Sequence, residues 1–280
     1  MNLFLVRLVK RLIVLAAGAI TIYITVWQVY PFFDKRVPIA LALLATYVAM
    51  AYVILPAGMR GIRLFYQPRH IPLYCVTPDG FASDPINIGL IGNRSQIINA
   101  MTKAGWYLAD RRTTNTVAKE ILSVLLRRQY LNAPFSTLYL FGRHQDFGFE
   151  VGISGRPSHR HHVRFWACNL QGPEEFHQDV HFWQRLRQPY STSPHRQLWV
   201  GAASKDIGIA PIRHNAQITH KIAPDTNAER QRIVEDLQKT DLVASVHMIN
   251  VGRPYSLPNR AFRGSLNADG RLAICELKKS

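Results

Sequence analysis

Acidic residues are scarce in this chain. Of 280 residues only 18 are Asp or Glu, against 34 Lys or Arg, for a formal net charge of +16. The imbalance runs throughout: residues 1–70 hold 8 basic and 1 acidic residue, and the remainder 26 and 17. Such a surface favours anionic partners, whether lipid head groups, phosphorylated ligands or nucleic acid. Cysteine is sparse too. Cys75, Cys168 and Cys275 are odd in number and widely spaced, which gives neither a disulfide framework nor a Cys-x-x-Cys metal pair. Free thiols fit a reducing compartment. Several signatures are missing. Gly89-Leu90-Ile91-Gly92 lacks the third glycine of a dinucleotide site and the body of a P-loop. Gly152-Ile153-Ser154-Gly155 has the wrong spacing for a nucleophile elbow. No helix-turn-helix, zinc finger or RNP-type motif stands out, so nucleic acid is disfavoured in spite of the charge.

What the chain does have, first, is two long apolar runs. Leu12–Tyr30 and Val37–Leu55 are each 19 residues, close to the ~20 a helix needs to cross hydrocarbon. Trp27, Tyr30, Phe32 and Phe33 cluster at the end of the first run, as an aromatic belt does. Only Pro31 to Arg36 separates the runs. Residues 1–70 therefore read as a two-helix transmembrane hairpin with a proline-bearing linker. Arg7, Lys10 and Arg11 precede the hairpin and Arg60, Arg63 and Arg69 follow it. The positive-inside rule then sets both ends, and the following domain, in the cytoplasm of a multi-pass inner (plasma) membrane protein. A cleaved signal peptide is disfavoured, because a second span follows at once and no small-x-small site intervenes.

Residues 71–280 read as one domain. Apolar strands are expected at Ile86–Ile91, Leu138–Phe141, Phe147–Ile153, His161–Cys168, Leu198–Ser204, Gln217–Ile222, Leu242–Val251 and Arg271–Cys275. Helices are expected from Ser95, as cap, to Ala104, from Asn115 or Thr116 to Tyr130, at Glu174–Leu186, and from the Pro224-Asp225-Thr226 start to Lys239. Strand runs with inserted helices argue an α+β domain on a mostly antiparallel sheet.

The most informative stretch is His161-His162-Val163-Arg164-Phe165-Trp166. In a strand, Val163 and Phe165 point one way with His161 at the edge, and His162, Arg164 and Trp166 point the other. An imidazole, a guanidinium and an indole in a row suit an anion. A metal at His159, His161 and His162 is disfavoured by Arg160 and Arg164. His177 and His181 are at i and i+4, but Gln178 stands where the zinc-protease pattern needs Glu. Asp206, just past the expected end of a small-residue strand, is open between general base, partner of Arg164 and turn cap. His220 lies between Ile218 and Ile222, so a satisfied core histidine competes there with a tuned acid or base.

Pro85-Ile86-Asn87-Ile88-Gly89-Leu90-Ile91-Gly92, Ala104-Gly105-Trp106, Leu138-Tyr139-Leu140-Phe141-Gly142-Arg143, Gln145-Asp146, His161 to Trp166, Trp199-Val200-Gly201-Ala202-Ala203, Thr219-His220 and Glu229-Arg230 occur in this order. In them the chain resembles the LssY C-terminal domain family, over roughly residues 75–240. The resemblance implies a domain found beside membrane spans, in some bacterial proteins fused to lipid-phosphatase-like or DedA-like membrane domains. It assigns no reaction. Lys221 stands where the family often has a second histidine, which weakens a mechanism needing two histidines there. No lipid-phosphatase signature occurs in this chain, so that activity does not carry over.

Two functions are expected. One is a membrane-anchored basic module that binds an anionic lipid or a membrane-protein partner through Arg143, Arg164, His162, Trp166 and Arg230. The other is a hydrolase or transferase acting on a phosphorylated or lipid-linked substrate near the membrane. There His162 or His220 would be acid or base, Asp206 the orienting carboxylate and Arg164 the anion clamp. Neither requires a cofactor.

Overall fold

The computed structural model describes residues 16, 18–35, 37–58, 72–126, 128–140, 143–153, 155–168, 196–212, 217–259 and 264–279. Met1–Gly61 and Ile62–Ser280 form two compact units. In the first, residues 18–24 are helical and continue through wider turns at Thr25–Val29 into α1, Tyr30–Asp34. After Pro38 at the N-cap comes α2, Ile39–Ala49, extended by Met50–Ile54. Ile39–Gly58, 20 residues of mean hydropathy 2.1, is long and apolar enough to cross a membrane. Among the described residues it is the one helix that meets this test, where the sequence led us to expect two.

The second unit is α+β with mostly antiparallel sheets. Its strands are β1 (Tyr74–Val76), β2 (Ala82–Pro85), β3 (Ile88–Gly92), β4 (Tyr107–Leu108), β5 (Tyr139–Leu140), β6 (Arg143–His144), β7 (Phe147–Ile153), β8 (Arg156–Ala167), β9 (Gln197–Pro211), β10 (Ile218–Ile222), β11 (Val243–Asn250), β12 (Tyr255–Pro258), β13 (Ser265–Ala268) and β14 (Arg271–Leu277). The helices are α3 (Arg94–Lys103), α4 (Thr114–Leu125) and α5 (Thr226–Gln238). The large sheet runs β11-β14-β3-β9-β8-β7-β4, with β10 added beside β9. Its pairs are antiparallel except β14 with β3. A small sheet, β2-β1-β5-β6, completes the frame of the site.

Two apolar layers follow from alternation along the same strands. Ile88, Leu90, Val163, Phe165 and Trp199 face one way and meet Ile97 and Met101 of α3 and Ile233 and Leu237 of α5. Ile91, Trp166, Leu198 and Val200 face the other way and meet Cys75, Leu138 and Leu140 of the small-sheet side. Each fully buried Phe or Leu contributes roughly 1.5–3 kcal/mol. Asn87 locks the layers together. Its side-chain nitrogen donates to the carbonyls of Ala203 and Thr226, and its oxygen accepts from the Ala203 amide.

Some boundaries differ from expectation for local reasons. The cap of α3 is Asn93, not Ser95: its oxygen accepts from Gln96 N, and the Gln96 side chain accepts in return from Asn93 N. β9 does not stop at Ser204 but runs to Pro211, because β10 pairs with its second half. The Glu174–Leu186 helix, and His177 and His181 with it, lie outside the described residues.

Candidate functional site

β8 is a central strand, bonded on one edge to β7 and on the other to β9. Its register sets the site. Arg160 lies between Gly152 and Asp206, His162 between Glu150 and Ser204, and Arg164 between Gly148 and Ala202. Cross-strand partners share a face, so these residues form one patch, with Gly148 and Gly152 leaving room for the Phe135 ring and the Gln129 side chain. The patch is on the small-sheet side, the side of Trp166. It is closed: Arg160, His162, Arg164, Glu150, Ser204 and Asp206 are all buried.

Segment 128–138 covers the patch. The Phe135 ring lies 5.2 Å from the Arg160 guanidinium, 4.9 Å from that of Arg164 and 5.6 Å from the His162 ring. The Ala133 amide donates to Glu150 Oε1 at 2.6 Å. Phe135 sits directly on Gly148, where an added Cβ would stand 2.3 Å from the ring and 2.7 Å from the Val163 carbonyl oxygen. A Gly148→Ala variant should therefore lose about 1–3 kcal/mol through forced displacement. Urea denaturation of the variant checks this, and an unchanged midpoint would refute the packing described.

Inside, charges alternate. Arg160 donates from Nε to Asp206 at 3.1 Å and from Nη1 to Glu150 at 2.7 Å. Arg164 donates from Nη1 to Asp84 at 2.7 Å. His162 lies between two carboxylates, with Nε2 3.6 Å from Asp84 and Nδ1 3.5 Å from Asp206. Neither ring nitrogen has a hydrogen bond of proper geometry, and Arg164 Nε and Ser204 Oγ are likewise buried without one. Buried polar atoms are nearly always bonded, so four orphans in one patch need a reason.

Burial pushes the Asp206 carboxyl up, but the charges of His162, His220, Arg160 and Arg164 more than reverse this and hold it at about 2. Asp84, raised by burial, is brought below the usual carboxylate range by His162 and Arg164. Glu150 goes the other way. Burial raises it to about 7, although the Arg160 charge and the Ala133 amide pull it down. Two carboxylates of one patch are thus driven apart, a pattern shared by acid/base sites and structural ion networks.

His220 joins this group. The β10–β9 register slips between His220, opposite Ile209, and Ile222, opposite Asp206. One extra β9 residue is absorbed near Gly208, whose φ of +140° suits glycine. Residues 220 and 222 share a face, so His220 is turned to the side of Asp206. Burial lowers its pKa, with Asp206 opposing and Arg160, His162 and Arg164 assisting. His220 is half-buried and Ile218 on the same face is exposed, so this end of β10 is not a closed core face. Asp206 is likewise no turn residue: it is buried in mid-strand, and its close partner is Arg160 rather than Arg164.

The structure thus brings His162, Arg164, Asp206 and His220 together. It does not bring Arg143, Trp166 and Arg230 into the same patch as open contacts. Arg143 bonds Asp146 at 2.5 Å and the Ala167 carbonyl at 2.6 Å. Trp166 is fully buried and donates to the Arg143 carbonyl, so it offers no flat outer contact. Arg230 holds Asp269 with two bonds of 2.8 Å. His161, on the opposite face from His162, bonds Glu229 of α5 at 2.7 Å. Among the described residues no group of His, Cys, Asp or Glu is placed to hold a metal ion. Asp84, Glu150, Ser204 and Phe135 were missed from sequence. Glu150 had one signal: it interrupts an apolar strand on the face opposite Phe147 and Phe149.

An α+β domain with a helix-covered large sheet and a buried Arg–His–carboxylate row on its other face is thus defined. The family model described as LssY C-terminus matches residues 68–271, and the chain belongs to that family. No curated protein and no solved structure matches it.

Proposed function

We propose that this chain is a membrane-anchored module whose basic α+β domain docks on an anionic bilayer surface, the domain lying on the cytoplasmic side of a two-span hairpin in the inner membrane. The observation that carries this reading is the outer face of α4. Ile121, Leu122, Leu125 and Leu126 are all more than half exposed, Leu125 at 73%. Arg111, Arg112, Lys119 and Arg128 flank them in sequence. An apolar stripe bordered by Lys and Arg is the pattern of a helix lying in the interface of an anionic bilayer. The exposed Ile20, Tyr23, Val26 and Trp27, before Ile39–Gly58, support a second span. A membrane-protein partner is the other occupant of the α4 face.

The test uses the full chain in nanodiscs. The native thiols are buried, so Leu125→Cys can carry a single fluorophore, with Asp241→Cys as exposed control. We expect nitroxide-labelled lipids to quench the label at 125 several-fold more than at 241, and more strongly in anionic than in neutral discs. Equal quenching at both sites would refute docking through α4.

A second reading, a hydrolase or transferase on a phosphorylated or lipid-linked substrate, is favoured by one observation: His162 wedged between Asp84 and Asp206 with both nitrogens unbonded. His162 or His220 would act as acid or base, with Asp206 orienting. The clamp role of Arg164 is limited, since one end already holds Asp84.

A further inference from the structure

We propose that a cleft of about 410 Å³, lined by Arg94, Arg111 and Arg112 among others, is a binding site for a phosphate-bearing anion. Arg111 and Arg112 also flank the α4 face in sequence, but Arg94 does not, and the site does not rest on bilayer docking.

The charge lining the cleft is unbalanced. Of the two carboxylates that line the same cleft, Asp146 is paired within the protein, whereas the charge of Asp110 is not balanced by its neutral hydroxyl donor, so one carboxylate stands against three guanidiniums. Asp146 accepts from Arg143 at 2.5 Å and from the Ala167 amide at 2.8 Å. Asp110 accepts the Tyr130 hydroxyl. Arg94 and Arg112 are not matched in this way. Among the described residues these two make no ion pair within 4.0 Å. Burial raises the Glu120 pKa, and Arg112 only opposes this rise, from beyond ion-pair distance. Arg94 is instead set over the Phe147 ring at 5.4 Å, which fixes its position without neutralising it.

Geometry and size agree. Guanidinium forks bind phosphate oxygens in bidentate fashion, and several in one concavity are characteristic of phosphate recognition. The volume lies within the usual range for small-ligand sites. Phe135 forms part of the wall, and the same ring rests against Arg160 and Arg164. The cleft and the buried row are therefore two sides of one aromatic partition.

A phosphate group can come from a phospholipid head group or a soluble phosphorylated molecule, and the experiment separates them. The full chain is placed in nanodiscs of neutral lipid and titrated with inorganic pyrophosphate and glycerol 3-phosphate by calorimetry. A parallel set of discs contains phosphatidate, and binding there is read as protection of Arg94 and Arg112 from phenylglyoxal by mass spectrometry. The same protection measurement is made with pyrophosphate on the unmodified chain, so it does not depend on a variant folding. We expect saturable binding that falls at least tenfold in Arg94→Gln/Arg112→Gln and is unchanged in Arg253→Gln. Protection by the soluble probes assigns a soluble ligand; protection only in phosphatidate discs assigns a head group. No protection in either set, or an equal loss in the Arg253 control, overturns the proposal and leaves only diffuse charge. Because Arg112 also flanks α4, protection of Arg112 without Arg94 in phosphatidate discs reports docking of that face and overturns the site, while docking through α4 is read separately by the label at 125.

Discussion

Replacing Asp206 by Ala should lower folding stability by about 3–5 kcal/mol, the range for breaking a buried ion pair from one side. Asp206 is the hub of the row. It accepts from Arg160 at 3.1 Å and stands 3.5 Å from His162 Nδ1. It is 2% exposed. Without it, two guanidiniums and two imidazoles remain, with Asp84 and Glu150 as the nearest acids. Water cannot reach the cations to compensate, and a buried charge without a partner is strongly unfavourable. Asp269 gives the comparison. It holds Arg230 with equally short bonds but is about one-third exposed, so Asp269→Ala should lose only about 1 kcal/mol. Urea denaturation of both variants at neutral pH measures the difference. Similar losses at the two sites would mean that the row is hydrated and that its charges are screened by water.

A core selected only for stability has no need of such a row. Swapping buried ion pairs for well-packed apolar residues is often neutral or stabilising. Four buried polar atoms of His162, Arg164 and Ser204 also lack hydrogen-bond partners. The row is therefore the part of the fold whose presence packing does not explain, and it abuts the cleft through Phe135.

How much of this was legible in the sequence depends on the residue. The two faces of β8 were, because alternation is local: Val163 and Phe165 are in one layer and Trp166 in the other. The reach of β9 was not. Lys205-Asp206 followed by Gly208 looks like a turn, and only pairing with β8 and β10 keeps it extended. The parallel β14–β3 pair was also invisible, since it joins residues from the two ends of the domain. For the site, residue type suggested charge but not its availability. Arg143 and Arg230 look like anion ligands until Asp146 and Asp269 are found beside them. Conversely Arg94, Arg111 and Arg112 drew no notice, because nothing in one dimension shows them around a common cleft.

The Glu150→Gln variant should gain stability relative to the native chain as pH rises from the ordinary carboxylate range to about 7, and the gain should then level off. The folded-state pKa of Glu150 is about 7, above the ordinary value near 4.3 expected when unfolded. The folded chain then binds more protons than the unfolded chain between these values, so stability falls with rising pH across that window. A shift of this size corresponds to a loss on the order of 4 kcal/mol, complete above about 7. Glu150 meets the Ala133 amide and Arg160 with separate oxygens, so glutamine keeps an acceptor for only one of them, at a cost that does not vary with pH; it has no proton to lose, so it lacks this slope. Asp206, at about 2 in the folded state, acts elsewhere: its stabilisation is present above the ordinary range and lost as pH falls towards 2. His220 overlaps the window with the opposite sign, because its lowered pKa makes stability rise with pH up to the ordinary histidine value. The native curve alone is thus ambiguous, and the difference between native and variant is the quantity to measure. Denaturant midpoints taken from about pH 4 to about pH 9, a span that brackets both the ordinary and the raised carboxylate values, supply it. A flat difference would mean that Arg160 at 2.7 Å keeps Glu150 charged throughout, making the row a fully ionised lattice rather than one holding a proton near neutrality.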